Sequence, residues 1–250
     1  MKIITAMKQI PDLQQMRIKD RKPVLNDVPW TFGKIDKNAL EAAVLIKEEA
    51  GGEVIVVSAG NEELNNTVKE ALAADADSAI LMVNNTADDM DGGQLARVLA
   101  ELIKRVEGYD LILFGEGSGD NYSGLMGSRV AEILDLPQVG YVTAIQVNND
   151  VAVVKRSLEN QDEILEVNLP ALLIVAADLN EPRIPSVTKV LKAGKKPKEV
   201  FELADLNLKI GEKQINTISN LAPLHNRKGI RLNSVDELVD VLYAEKAGGE

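Results

Sequence analysis

The chain has no cysteine and a single histidine, His225, in 250 residues. The first absence excludes disulfides, thiolate-held iron–sulfur clusters and cysteine nucleophiles. The second excludes a multi-histidine metal site. No apolar run approaches the roughly 18 residues that a membrane-spanning helix requires. Cationic charge is short as well: 28 Lys and Arg stand against 39 Asp and Glu, a formal net charge of −11. A nucleic-acid binder needs a basic face to meet phosphates, so this balance argues against that class. The one positive stretch is local, carried by Lys189, Lys192, Lys195, Lys196 and Lys198. Met1-Lys2 leads directly into a strand-like run with no small-residue cleavage site, so a soluble, cytoplasmic protein is expected.

What is present is ordinary for a globular chain: 45% hydrophobic and 27% charged residues, enough for one large domain or a domain with an appendage. The first half alternates short β-like runs with helical patterns. Strands are expected at 3–7, 53–58, 78–83 and 110–114. Between them, Ala39, Ala43, Ile46 and Ala50 mark one helix, and Leu64, Val68, Ala71 and Leu72 a second with Asn61 as its cap. Leu95, Leu99, Leu102 and Val106 mark a third; Met126, Val130 and Ile133 a fourth that starts near Ser123. Continuous apolar strands separated by amphipathic helices predict a doubly wound, mostly parallel α/β sheet.

After Leu136-Pro137 the helices stop. Runs at 141–147 and 151–155 flank Asn148-Asn149-Asp150, a hairpin turn, and runs at 164–167 and 171–176 follow. These predict antiparallel strands added at the sheet edge. The boundary is set near residue 200: 1–200 reads as an α/β domain, 201–250 as an arm. Apolar residues thin out in the arm, and a last helix is expected from Ser234 with Val235, Leu238, Val239 and Leu242 on one side.

Ligands of an open parallel sheet bind outside the carboxyl ends of its strands. The places to inspect are therefore Ala6-Met7-Lys8 after the first strand, Ser58-Ala59-Gly60 after the second, and the loop from Gly115 to Gly127 after the fourth. That loop runs Gly115-Glu116-Gly117-Ser118-Gly119-Asp120-Asn121-Tyr122-Ser123-Gly124-Leu125-Met126-Gly127. Its glycines allow close backbone approach, and a following helix offers N–H groups to a phosphate. It is neither a Walker loop nor a dinucleotide fingerprint, and taken alone it reads equally as a turn. Asp88-Asp89-Met90-Asp91 reads as a cation site or as an acidic helix start, and Trp30 as a subunit contact or local packing. No Ser/His/Asp set assembles around one histidine in a poorly patterned tail.

The segment 154–196 adds specificity. A strand with Arg156 and Glu159 leads to Leu169-Pro170-Ala171 and an apolar run, then to Asn180-Glu181-Pro182-Arg183-Ile184-Pro185 and the basic stretch. With Lys8-Gln9-Ile10-Pro11-Asp12 and Asp36-Lys37-Asn38-Ala39-Leu40-Glu41-Ala42, this resembles the β subunit of electron-transfer flavoproteins from Met1 to about Lys198. Four departures stand out: Glu116-Gly117, Asp120-Asn121-Tyr122-Ser123, Gly33-Lys34 in place of Asn-Pro, and Asn160-Gln161-Asp162 in place of glycines. The Gly-Ser-Gly-Asp-x-Tyr form is similar to the Fix-type branch.

The resemblance implies an adenine-nucleotide α-hydrolase-like fold and a heterodimer with an FAD-carrying α subunit. It places nucleotide contacts at Ala6, Ala59, Asp120, Ser123 and Gly127. With the neighbouring strand-end residues, the expected cofactor-binding set is Ala6, Lys8, Ser58, Ala59, Gly60, Gly115, Asp120, Tyr122, Ser123, Gly124, Leu125, Met126 and Gly127. The occupant is FAD, with AMP as the alternative; with FAD, NADH is the electron donor and a low-potential acceptor such as ferredoxin joins. The resemblance also makes 180–192 a docking loop for a flavin-dependent dehydrogenase, through Arg183, Ile184, Pro185 and Val187, with Arg183 and Lys189 free to pair with a partner's acids. Without it, the same prolines read as a stiff crossover. A different class, a self-associating adenine-nucleotide sensor, has no use for the appended strands and loop.

Overall fold

The computed structural model describes residues 1–224 and 229–247. The chain opens with β1 (Lys2–Ala6), then four short strands, β2 (Gln9–Pro11), β3 (Arg17–Lys19), β4 (Lys22–Val24) and β5 (Trp30–Phe32). Of these β2 pairs with β5 and β3 with β4, each antiparallel. Helix α1 (Lys34–Ala50) follows, then β6 (Glu53–Gly60), α2 (Leu64–Ala73), β7 (Ser78–Val83), α3 (Gly92–Lys104), β8 (Leu111–Gly115) and α4 (Met126–Leu134). The second half runs β9 (Gln138–Asn148), β10 (Val151–Ser157), β11 (Asp162–Asn168), β12 (Ala171–Val175), α5 (Val187–Ala193), β13 (Lys198–Phe201) and α6 (Val235–Ala247).

One nine-stranded sheet, in the order β11-β10-β9-β12-β8-β1-β6-β7-β13, carries the molecule. Its central strands are apolar on both faces because both faces are covered. Ile3, Val54, Val56, Leu111, Leu113 and Leu173 pack on the α1 and α2 side. Ile4, Ile55, Val57, Ile112, Phe114 and Ile174 pack on the α3 and α4 side. Successive residues of a strand point to opposite faces, so these runs show no polar alternation. The doubly wound reading therefore holds.

Asn149 adopts a left-handed φ of 53° at the expected hairpin turn, with Asn148 opposite Val151. The short strands β2 to β5 and β13 are not expected from the sequence, and one expected strand lies elsewhere in the sheet. The run at 171–176 does not extend the edge: β12 lies inside the sheet, parallel to both β8 and β9. All five of its residues are buried, and a strand apolar on both faces needs neighbours and layers that an edge cannot give. The edge on that side is instead the mixed-polarity β11. At the other edge β13 adds in parallel to β7, with Arg105 4.3 Å over the Phe201 ring.

From Leu208 to Leu224 the tail forms neither helix nor strand, and α6 starts where Ser234 predicts it: the Ser234 hydroxyl accepts from the Glu237 amide at 3.2 Å. Of α6, Val235, Leu242 and Tyr243 are exposed. His225 lies outside the described residues.

Candidate functional site at the sheet's switch point

From β1 the chain winds outward through β6 and β7, then α3 carries it back to β8 on the opposite side of β1. The strand order reverses there, which opens a crevice between the carboxyl ends of β1 and β8. Ala6 ends β1, buried, between Val57 and Phe114. Ser58, Ala59 and Gly60 do not follow β6 but belong to it, because that strand is two residues longer than expected. The Ser58 hydroxyl is fully buried and donates to the Met7 carbonyl at 2.6 Å, so it fixes the exit of β1. Beside Gly60 the buried Gln9 amide donates to the Thr67 hydroxyl at 3.0 Å.

Lys8 and Asp120 meet across the crevice, Nζ to Oδ2 at 2.5 Å. Burial would raise the Asp120 pKa, but hydrogen bonds from Lys8 and Ser118 outweigh it and hold the carboxyl below its usual range. Tyr122 sits beyond, its backbone left-handed at φ 40°. Its hydroxyl donates to Glu116 Oε1 at 2.6 Å, and this bond to an anion, more than burial, pushes the phenol up to about 12. Gly124 takes φ 66° and Leu125 is exposed at the start of α4. The helix begins at Met126 rather than near Ser123, and no side chain caps it. Its first N–H groups are available to an anion, as in other phosphate-binding helix starts.

Two glycines owe their place to packing. A Cβ at Gly127 would lie 2.6 Å from Ile174 Cγ1, so glycine lets α4 settle onto β12. A Cβ at Gly115 would lie 2.7 Å from Asp36 Oδ1, where β8 runs against the first turn of α1. In sequence Asp36 reads only as part of the family-like entry to the first helix, not as a residue of the site. An acid in the first turn of a helix normally signals an exposed charge at the dipole, and nothing local reveals that this one is buried. Lys8, Gly115, Asp120 and Tyr122 thus share the crevice; Ala6 and Ser58 support it from below.

The docking segment lies apart, over α1 and α2. Asn38 donates to the Asn180 carbonyl at 2.5 Å and Asn180 returns a bond to the Asn38 carbonyl at 3.0 Å. Arg183, expected to face a partner's acids, turns inward to Glu41, Glu48 and Asp75, and Lys189 also takes Asp75 at 2.5 Å. Outward the segment presents Ile184, 95% exposed, and Val187, 78% exposed, and α5 also exposes Leu191, among exposed polar residues such as Thr188 and Lys192.

Asp91 resolves the acidic cluster. It caps α3, accepting from Gly93 at 2.8 Å and Gln94 at 2.9 Å, and also receives the arm's Gln214 amide at 2.6 Å. Backbone amides of Gln94 and Gln214 lower its pKa to about 2. Among the described residues no group of acids is arranged to hold a metal, and no helix is long and apolar enough to cross a membrane.

Residues 24–206 match the family model described as the electron transfer flavoprotein domain. Over 217 residues, covering 86% of this chain and 83% of the relative, the sequence is 36% identical to an electron transfer flavoprotein subunit beta of Thermoanaerobacterium thermosaccharolyticum. It is 32% identical to the subunit of the same name in Bacillus subtilis, over 98% of both chains. It is 35% identical to the caffeyl-CoA reductase-Etf complex subunit CarD of Acetobacterium woodii, over 83% of this chain and 80% of the relative. A sheet with its switch-point crevice between β1 and β8, matched by a family model along most of its length, leaves one assignment: this chain belongs to the electron transfer flavoproteins, among their β subunits.

Proposed function

We propose that the crevice between β1 and β8 holds FAD, and that this chain works in the cytoplasm beside an FAD-carrying α subunit as one half of an electron-bifurcating flavoprotein. The observation that carries the nucleotide reading is the crevice itself. A lysine, a loop with close-packed Gly115 and Gly117, and an uncapped helix start lie at this end of the sheet. These groups suit a pyrophosphate, and the acids Asp120 and Glu116 suit ribose hydroxyls as acceptors. Lys8 supplies the cation, the amides at the start of α4 take phosphate oxygens, and the Tyr122 ring, with Glu116 holding its hydroxyl, borders the mouth. Bound there, FAD supplies hydride acceptance from NADH and the parting of two electrons between the α-subunit FAD and a low-potential acceptor such as ferredoxin. The protein's share is to place and tune that group, and no side chain here serves as nucleophile or general acid.

The exposed Ile184, Val187 and Leu191 form the face for a flavin-dependent dehydrogenase, and residues 201–250, ending in α6, lie on the α subunit. The relative at 35% identity is named as part of a reductase-Etf complex, which supports a dehydrogenase partner. The test is the flavin and AMP content of the co-purified αβ heterodimer after acid release. Two FAD and no AMP are expected. One FAD with one AMP would overturn the bifurcating reading and leave a simple carrier. No flavin in a stable heterodimer would overturn the FAD reading of this crevice.

A further inference from the structure

Asp36 is the third residue of α1 and 7% exposed. It accepts the Lys8 amide on Oδ2 at 2.7 Å, across the gap to the exit of β1. Its other oxygen lies on the side of Gly115, so close that a Cβ there would stand 2.7 Å away and only 3.0 Å from the Ile35 carbonyl carbon. One carboxylate is therefore wedged between the exits of the two strands that flank the switch point. The root of Lys8 is fixed by Asp36, and its tip is received by Asp120.

We propose that Asp36 is a positioning residue of the nucleotide crevice: its carboxylate holds the exits of β1 and β8 against each other, and so sets where Lys8 and the loop from Gly115 to Gly127 meet a ligand's phosphates. The proposal rests on the nucleotide reading above. An ionised carboxylate grips a backbone amide more strongly than a neutral acid does, so the grip depends on charge. Burial pushes the Asp36 pKa up to about 7, against the Lys8 amide and the Lys8 charge, which lower it. Lys8 and, behind it, Asp120 are the charged side chains bearing on it. Lys37 on its own helix is engaged by Thr31 and Glu70. For stability alone an asparagine would accept the same amide without burying a charge. An acid whose burial is costly, standing where two ligand loops join, matches the usual conflict between a functional site and stability.

The experiment follows release of the second nucleotide from the αβ heterodimer on dilution, by filtration and acid extraction, between pH 6 and pH 8. For the wild type, release is expected to be about tenfold slower at pH 8, as one group titrates through the middle of that range. Asp36→Asn should release at a rate nearly independent of pH, and Asp36→Glu should keep a pH dependence. An Asp36→Asn heterodimer that releases its nucleotide at the wild-type rate at every pH in this range overturns the proposal, and so does an Asp36→Asn profile that depends on pH as steeply as wild type. A wild-type heterodimer holding no nucleotide beyond the α-subunit FAD overturns the nucleotide reading itself, and the proposal with it.

Discussion

Arg183 clasps Glu41 with two parallel hydrogen bonds, Nε to Oε2 at 2.8 Å and Nη2 to Oε1 at 3.0 Å, while its own backbone amide adds a third to Oε2 at 3.0 Å. The pair joins residues 142 positions apart, so one side chain ties the segment after β12 to the middle of α1. Hydrogen bonds donated to Glu48 and Glu41 raise the guanidinium pKa further, and Arg183 in turn lowers that of Glu48. Arg183→Ala leaves the Glu41 side chain, 8% exposed, without its cation. We expect a loss of about 3 kcal/mol in urea unfolding of the heterodimer. Arg183→Lys, which cannot form the fork, should recover only part. A loss under about 0.5 kcal/mol for Arg183→Ala, the size of an exposed pair, would show that the clasp does not hold the segment.

Next to that clasp, Val187 plays the opposite part. It is 78% exposed, at the first position of α5, and belongs to neither buried cluster of the core. Val187→Asp should therefore leave the unfolding midpoint within experimental error and leave nucleotide content unchanged. Electron transfer to or from the partner dehydrogenase should fall by at least about tenfold, as a charge in an apolar contact costs more than 1.4 kcal/mol. Stopped-flow reduction of the mixed proteins would measure it. An unchanged second-order rate would move the docking face elsewhere.

For Asp36 the sign of the pH effect on stability is set by the direction of its shift. Its pKa is about 7 in the folded chain and 3.8 when unfolded, so folding takes up a proton between those values. Stability from this group is greatest below about pH 4, declines as pH rises to about 7, and is level above. Asp36→Asn removes the slope. Relative to wild type the variant should gain more stability at pH 8 than at pH 5, in paired urea titrations. A variant that is less stable than wild type at both values, by the same amount, would show that the carboxylate is a net structural asset.

Much of this was readable from residues alone, and the misses share a cause. Runs such as Val54 to Val57 and Leu111 to Phe114 are apolar at every position, a pattern that only a doubly covered parallel strand tolerates. The same rule applied to Ala171 to Val175 would have placed β12 inside the sheet; its neighbours in sequence, β10 and β11, suggested an edge instead. The crevice was foreseeable at Lys8, Gly115 and Asp120 because strand ends are local. Asp36 was not, since its partners Lys8 and Gly115 are far away in sequence and burial of a charge leaves no periodic mark. Arg183 was legible as a cation but not as one already engaged, because Glu41, Glu48 and Asp75 come to it only through packing of α1 and α2.

Asp91 ties the arm to the domain. Its carboxylate closes a capping box with Gln94 at the start of α3, and accepts the amides of Gln214 at 2.6 Å and Ile215 at 3.2 Å. Other bonds also tie the arm to the domain, among them Gln94 to the Gly211 carbonyl at 3.0 Å beside α3 and, at the β3–β4 turn, Arg21 to the Ala222 carbonyl at 2.7 Å. Loss of the cap alone should lower stability by about 1 kcal/mol. Asp91→Ser separates the two tasks, since a serine hydroxyl still caps α3 but is too short to receive the arm. In hydrogen exchange, Asp91→Ser should speed the Gln214 and Ile215 amides by at least about tenfold while α3 keeps its protection. The Asp91 pKa is lowered to about 2, so its contribution is present above the unfolded carboxylate range and lost as pH falls towards 2. Wild-type exchange at those two amides, corrected for the intrinsic rate, should approach the variant's only below about pH 3. Equal protection of Gln214 in wild type and Asp91→Ser at neutral pH would mean that the arm is held by its other bonds, and that Asp91 serves α3 alone.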